Sequence, residues 1–430
     1  MAHTVETMLS ALNLFEPCPV QTSVLGGNWL HYRPIQAISE HGPISFFVPG
    51  NGSSYVDMNK TMIYLKMKVV KEDGSALVGG DPMCTVVNNT MSTLFNEVKF
   101  ELGNQQVSSS NMMYHYQAYI QNLFNFSHLA KDSHLSSVLW FEDETNQLLD
   151  LTKGGNRSRR KLIEKSAEVE LMGKLHCNLM SIDKYLPNEV NMKLEFYRNP
   201  AALVCLSEDP SVKLKIEILD MTLMVRKVDI NPGIILAHAR LLETTTMKLG
   251  YRRVEMQNYT LPSGIMQKSL DNLFLSRVPS RLVFGLVMNS SFCGKIDENP
   301  FDFQHFDLNH VSLTVNGRVV NSVPYKIDFE KKLHVVPYVF SHIGVGCHLL
   351  DDGFCLSRDS FAGGFALFTY DFSHDLGGDN HFSPPESANV RLELGWSKPL
   401  PAVINLVMYS EHFDLAEICR NREVSLHYKQ

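Results

Sequence analysis

No stretch of this 430-residue chain is apolar enough, for long enough, to cross a bilayer as a helix. The first twenty residues have no basic start and place Glu6 inside their apolar part, so no secretory signal is expected. The eight cysteines (Cys18, Cys84, Cys177, Cys205, Cys293, Cys347, Cys355 and Cys419) form no C-x-x-C pair, and the nearest two are Cys347 and Cys355. Such scattered thiols predict free, mostly buried cysteines in a reducing compartment. Sequons such as Asn51-Gly-Ser and Asn258-Tyr-Thr then read only as polar loops. Positive charge is short too. Lys and Arg number 39 against 46 Asp and Glu, a net charge of −7, so no basic face for gripping nucleic-acid phosphates is expected. The one basic cluster, NRSRRKLIEK at residues 156–165, reads as a solvated loop or short-helix face. Contact with a nucleic acid or an acidic partner is the competing reading.

Catalytic signatures are also missing. The chain contains no G-x-S-x-G elbow, phosphate-binding Gly-Lys loop, H-E-x-x-H or dinucleotide fingerprint. GGDNHF at residues 377–382 follows a strand-like run and precedes Pro384-Pro385, which makes it a loop rather than a phosphate cradle. His334, His342, His348, His374 and His381 enrich the second half in histidine. None sits in an H-x-H or H-x-[DE] pair on a strand, as β-barrel metal sites usually require. No catalytic, cofactor-binding or metal-ligating residue is therefore assigned, and no cofactor is expected. Phe301, Phe303 and Phe306 lie in the aromatic run NPFDFQHFDLNHV. They read as anchors onto a core ahead of a hairpin rather than as a ligand platform.

What the chain has in abundance is period-two alternation. YLKMKVV sets Leu65, Met67 and Val69 against Lys66 and Lys68, and VKLKIEI sets Val212, Leu214, Ile216 and Ile218 against Lys213, Lys215 and Glu217. Each pattern predicts a strand with one buried and one wet face. Helical candidates are few: residues 111–124, 159–172 and the EHFDLAEICRN run at 411–421. Hydrophobic content of 44% is enough for a sizeable core, and the class is mainly β.

The chain also repeats itself. FNEVKFELGNQQV at residues 95–107 returns about half the chain later as FDLNHVSLTVNGRVV at 306–320. Asn96 aligns with Asn309, Val98 with Val311 and Val107 with Val320, and both runs reach a Gly/Asn pair. Asn316-Gly317 after alternating Val311, Leu313 and Val315 predicts a tight hairpin, because a type I′ turn needs positive φ at both central positions. NMKLEF at 191–196 recurs as NVRLEL at 389–394, and LMVRKVDI at 223–230 is echoed by VMYSEHFDL at 407–415. The first half is longer between its first two boxes, and the polar run EDETNQLLDLTKGGNRSRR fits there as an insertion. Three echoes in one order imply a duplicated β-domain, far too long for a solenoid repeat. Eight strands in two packed sheets, a jelly roll, fit each half. The expected division is an irregular N-terminal arm at 1–50, a first jelly roll at 51–228 and a second with the C-terminal segment at 229–430. The boundary is set by Asn231-Pro232-Gly233.

The run from Ser276 to Val320 resembles the double jelly-roll major capsid proteins of Polinton/Maverick elements and their adintovirus-like and virophage relatives. Val278-Pro279 before an apolar strand, Asn299-Pro300-Phe301 and the strand to Asn316-Gly317 carry that likeness. So do GGFALFTYDFS at 363–373 and the segment 388–396, with a looser match in order through the first half. The resemblance implies two upright jelly rolls per chain and homotrimers that imitate a hexagon. Such tiles form an icosahedral shell around double-stranded DNA, with penton and minor capsid proteins as further partners. It implies no enzyme, no specific nucleic-acid binding and no membrane span. It places the protein in the virion, after synthesis in the host cytoplasm or assembly in the nucleus. The competing classes are a bicupin-like metal-dependent enzyme and a carbohydrate-binding β-sandwich protein.

Overall fold

The structure is a computed structural model and describes residues 9–15, 20–40, 42–108, 110–274, 277–321, 323–347, 353–354, 356–373 and 386–427. Each half of the chain supplies eight principal strands. In the first half these are β1 (Val24–Tyr32), β2 (Ile44–Val48), β3 (Ser54–Lys71), β4 (Phe95–Leu102), β5 (Gln105–Ser108), β6 (Val169–Lys174), β7 (Met192–Arg198) and β8 (Leu214–Ile230). In the second they are β9 (Met247–Leu261), β10 (Gln267–Leu270), β11 (Arg281–Met288), β12 (Leu308–Val315), β13 (Arg318–Val319), β14 (Phe368–Asp371), β15 (Val390–Trp396) and β16 (Ile404–Ile418).

The sheet orders reveal the architecture. The first half pairs β1-β8-β3-β6 and β2-β7-β4-β5, and the second pairs β9-β16-β11-β14 and β10-β15-β12-β13. Adding eight to every strand of the first half gives the second. An antiparallel order of 1-8-3-6 over 2-7-4-5 is a jelly roll, made by folding a long hairpin so that its arms alternate between two sheets. The mainly β, double jelly-roll expectation is met. The three sequence echoes fall on equivalent strands: β4 with β12, β7 with β15, and β8 with β16.

The strands form where alternation predicts them. On β3, Ile63, Leu65, Met67 and Val69 are buried while Tyr64, Lys66 and Lys68 are only partly covered. At the β12–β13 turn Asn316 and Gly317 take φ of 49° and 78°, the two positive values a type I′ turn needs. In the equivalent β4–β5 turn the order is Gly103-Asn104, and Gly103 takes φ of 60°. The core runs through both jelly rolls as one cluster, from Phe46 and Phe196 to Phe284 and Trp396.

Four expectations need correction. The arm at 1–50 is not irregular throughout, because β1 and β2 lie inside it and join the two sheets of the first roll. β1 is an edge strand with most residues exposed, so it has no buried face to write an alternating pattern. The helix expected over 159–172 is α2, counted after α1 (Tyr114–Asn125), and it spans Gly154–Ile163. Lys165 then turns the chain at φ 57°, and Val169 and Leu171 alternate with Glu170 as a strand. The run at 411–421 belongs mainly to β16, where residues 413–418 alternate between half-buried and buried but with Asp414 inside and Phe413 and Leu415 half-covered, which hides the strand pattern from sequence. Finally, the basic cluster is not wholly solvated. Arg157 and Lys161 are exposed, but Arg159 is fully buried and ion-paired with Asp143.

Candidate assembly surfaces

The singled-out histidines are packing groups where they are described. His334 stacks between Phe329 and Phe361, and its Nε2 lies 3.3 Å from the Arg358 carbonyl. His342 stacks on Phe354, with Nδ1 3.0 Å from the Tyr338 carbonyl. His348, His374 and His381, and the GGDNHF loop, lie outside the described residues. Among the described residues no three His, Cys, Asp or Glu side chains converge as metal ligands would. Phe301 and Phe303 are buried and Phe306 is half-buried, so the aromatic run anchors to the core.

What it anchors to is the seam between the two rolls. The β5–β6 connection carries α1, whose sequence YHYQAYIQNLFN sets Tyr116, Tyr119, Ile120, Leu123 and Phe124 on one side and gathers Gln117, Gln121, Asn122 and Asn125 on the other. Burial reaches beyond the apolar side: all but Gln121 and Asn125 of its residues are buried, Gln117 and Asn122 included. Tyr119 stacks on Phe301 with ring centroids 4.1 Å apart, and Tyr116 stacks on Phe292. The Tyr116 hydroxyl donates to the Pro300 carbonyl at 3.0 Å. Gln121 Nε2 donates to the Tyr409 hydroxyl at 3.2 Å, and that hydroxyl donates to Glu411 at 2.7 Å. Burial alone would raise the Glu411 carboxyl. Arg281 and Arg252, 3.5 and 3.3 Å away, together with Tyr409, outweigh burial and hold it below its ordinary value.

The seam also closes a sheet edge. β9 is the edge strand of its sheet. Its Val254 N–H donates to Asn178 Oδ1 at 3.1 Å, and its Met256 carbonyl accepts from Asn111 Nδ2 at 2.9 Å. Two asparagines of the first roll thus satisfy backbone groups that would otherwise template another strand. On the neighbouring strand, residues 404–412 of β16 are buried on both faces. The equivalent β8 stays partly open on its outer face, where Leu219 is 41% exposed.

Beside the seam a cleft of about 660 Å³ is lined by Asp150, Asp302, His305, Asp307 and Lys398, among others. Burial raises the Asp302 carboxyl to about 6. Lys398 is tied to Asp307 at 3.1 Å and to Glu330 at 2.6 Å. The cleft is an acidic crevice between packed loops, and none of these five side chains is an activated nucleophile.

No family model matches the sequence. An uncharacterised protein of Caenorhabditis elegans is 23% identical over 409 residues, covering 91% of this chain and 94% of that protein. Among solved structures, a chain of the Sputnik virophage superposes with a TM-score of 0.65 at 11% identity, covering 99% of this chain and 94% of that one. The mavirus major capsid protein matches at 0.54 and 11% identity, covering 98% and 95%. The Faustovirus major capsid protein matches at 0.56 and 8%, covering 94% and 92%. The fold is the double jelly roll of viral major capsid proteins.

The sequence did not announce the seam. Residues 111–124 read as a helix, but their role as the wedge between two rolls did not follow from periodicity. Gln117, Gln121, Asn122 and Asn125 share one side of α1 and read as a wet face, so no local signal marked a helix covered from both sides.

Proposed function

We propose that this protein is a structural major capsid protein and not an enzyme. In this reading three chains form a pseudo-hexameric trimer, trimers tile an icosahedral shell around double-stranded DNA, and penton and minor capsid proteins complete it. The protein would then reside in the virion. The observation that carries the reading is the doubled strand order with a dry seam between rolls, together with nearly full-length superposition on the mavirus and Faustovirus major capsid proteins. Two similar rolls per chain let three chains present six similar units, and a heterologous contact closed by three-fold rotation joins them. The folding units we propose are the first jelly roll at 51–228, extended by the strands at 24–32 and 44–48, and the second at 229–430.

Size-exclusion chromatography with light scattering, followed by negative-stain imaging, tests the reading. Trimers with a pseudo-hexagonal outline are expected. A strictly monomeric protein at high concentration would overturn it.

A further inference from the structure

The duplicated fold contains one seam per chain, and that seam leaves a matching surface uncovered. On the second roll, edge strand β9 is capped by Asn111 and Asn178 of the first roll, and α1 covers the outer side of β16. On the first roll the equivalent edge strand is β1, VLGGNWLHY. Among the described residues nothing pairs with its outer edge from Leu25 to Leu30. From Gly26 to Tyr32, beyond a bulge at Val24–Gly26, the strand has no lysine, no other full charge and no proline to keep a free edge from associating. Leu25 is 64% exposed, Trp29 41% and Leu30 40%. The register places Trp29 beside Arg226, and His31 beside Met224, which in turn faces Met62 across β3. These partly covered side chains extend the stripe from the edge onto the outer face of the sheet.

The second roll, for its part, has an uncovered counterpart to the α1 connection. The chain between β13 and β14 holds α4 (Val335–Ile343), counted after α3 (Pro232–Leu241). One side of α4 is fixed to its own roll: Thr369 Oγ1 donates to the Phe340 carbonyl at 2.9 Å, and Arg281 Nε to the Gly344 carbonyl at 2.8 Å. At its start Leu333, Val335 and Val336 are 61%, 44% and 54% exposed.

We propose that the edge and outer face of β1 and β8, centred on Trp29, bind the β13–β14 connection of a second copy of this chain, centred on Val336. This contact repeats between copies the seam that β5–β6 makes within one copy. It rests on the capsomer reading and gives that reading its residues. Because the two surfaces are different and lie on opposite rolls, each copy offers one of each, as the three-fold ring of the capsomer reading requires.

The test uses the full chain and two variants, Trp29→Glu and Val336→Glu, studied by size-exclusion chromatography with light scattering and by thermal melting. Both side chains are exposed, so each variant is expected to stay folded as a monomer, its melt falling below that of the wild type only by the concentration-dependent share that the trimer contributes. Each variant alone is expected to lose the trimer. Mixed in equal amounts they are expected to form heterodimers and no trimers, because only one of the possible contacts keeps both intact surfaces. Leu25→Lys and Leu333→Lys repeat the experiment on the same surfaces should either glutamate variant melt early. Variants that remain trimeric overturn the surface assignment while leaving the capsomer reading intact, whereas a monomeric wild type overturns the capsomer reading itself. A mixture that stays monomeric, or that regains trimers, overturns the pairing of Trp29 with Val336.

Discussion

Arg159 is fully buried, and its guanidinium is spoken for at every nitrogen. Nε donates to the Val86 carbonyl at 2.8 Å, Nη1 to the Phe141 carbonyl at 2.7 Å, and Nη2 to Asn156 at 2.7 Å and Asp143 at 2.5 Å. One side chain thereby ties α2, a short strand at 84–86 and the loop after residue 140 together. Arg159→Met leaves the Asp143 charge buried without a partner, and a loss of about 3–5 kcal/mol is expected in urea unfolding. A loss below about 1 kcal/mol would mean the pair is not closed. Gly317 offers a cleaner backbone test. Nothing lies within 4 Å of a Cβ placed there, so Gly317→Val costs only the strain of a β-branched residue at φ 78°. About 1–2 kcal/mol is expected. Unchanged thermal stability would argue against the turn.

At the scale of elements, α1 is the piece on which the two rolls depend. Tyr119 sits with its ring 4.1 Å from Phe301 of the second roll and 5.1 Å from Trp140 of the first. Tyr119→Ala is expected to cost about 3–5 kcal/mol, as for other large aromatic truncations. Hydrogen exchange should quicken at β9 and β16 as well as in α1, because the cavity opens the seam. Protection lost only within α1 would show that the rolls do not lean on it. The same element marks the limit of what the sequence reveals. β3, β4, β8, β12 and β15 were legible because each buries one face and wets the other, which writes period two into the chain. β1 was not, since a strand exposed on both sides is under no such constraint. β16 was not, for the opposite reason: covered on both sides over 404–412, it carries Asn405, Ser410, Glu411 and His412 inside. Those polar residues are placed by partners on adjacent strands of the same roll, Arg252 and Arg281 around Glu411 and Thr260 beside Asn405, with Gln121 of the first roll reaching Tyr409, and local sequence holds no record of such distant partners.

The whole molecule should be sensitive to acid, and its direction can be worked out from buried groups. His115 in α1 is brought down to about 3 by burial. Its Nδ1 lies 3.3 Å from Asn199 Nδ2, which donates to it, so the neutral ring keeps its proton on Nε2 and a second proton would break that bond. Burial likewise lowers His176 to about 3 and His412 to about 4. All three stay neutral when folded but take a proton near pH 6.5 when unfolded. Their contribution is therefore complete above about pH 6.5 and is lost as the pH falls toward 4, at up to about 1.4 kcal/mol per unit for each. Glu411, held low, loses its share only below about pH 4.3, where the unfolded carboxyl protonates. Asp302 works the other way. Raised to about 6, it binds its proton in the folded state first and returns some stability between pH 6 and 4. Burial also raises the Asp143 and Glu142 carboxyls, but the three histidines outweigh these carboxyls, and a net fall of about 2 kcal/mol per pH unit from pH 6 to 4 is expected in urea unfolding. His115→Gln, His176→Gln and His412→Gln combined should flatten that slope, and a slope unchanged by the three would place the acid sensitivity elsewhere. Because His115 lies in α1 and His176 Nδ1 holds Gln121 at 2.8 Å, acid is expected to loosen the junction of the rolls before the sheets themselves.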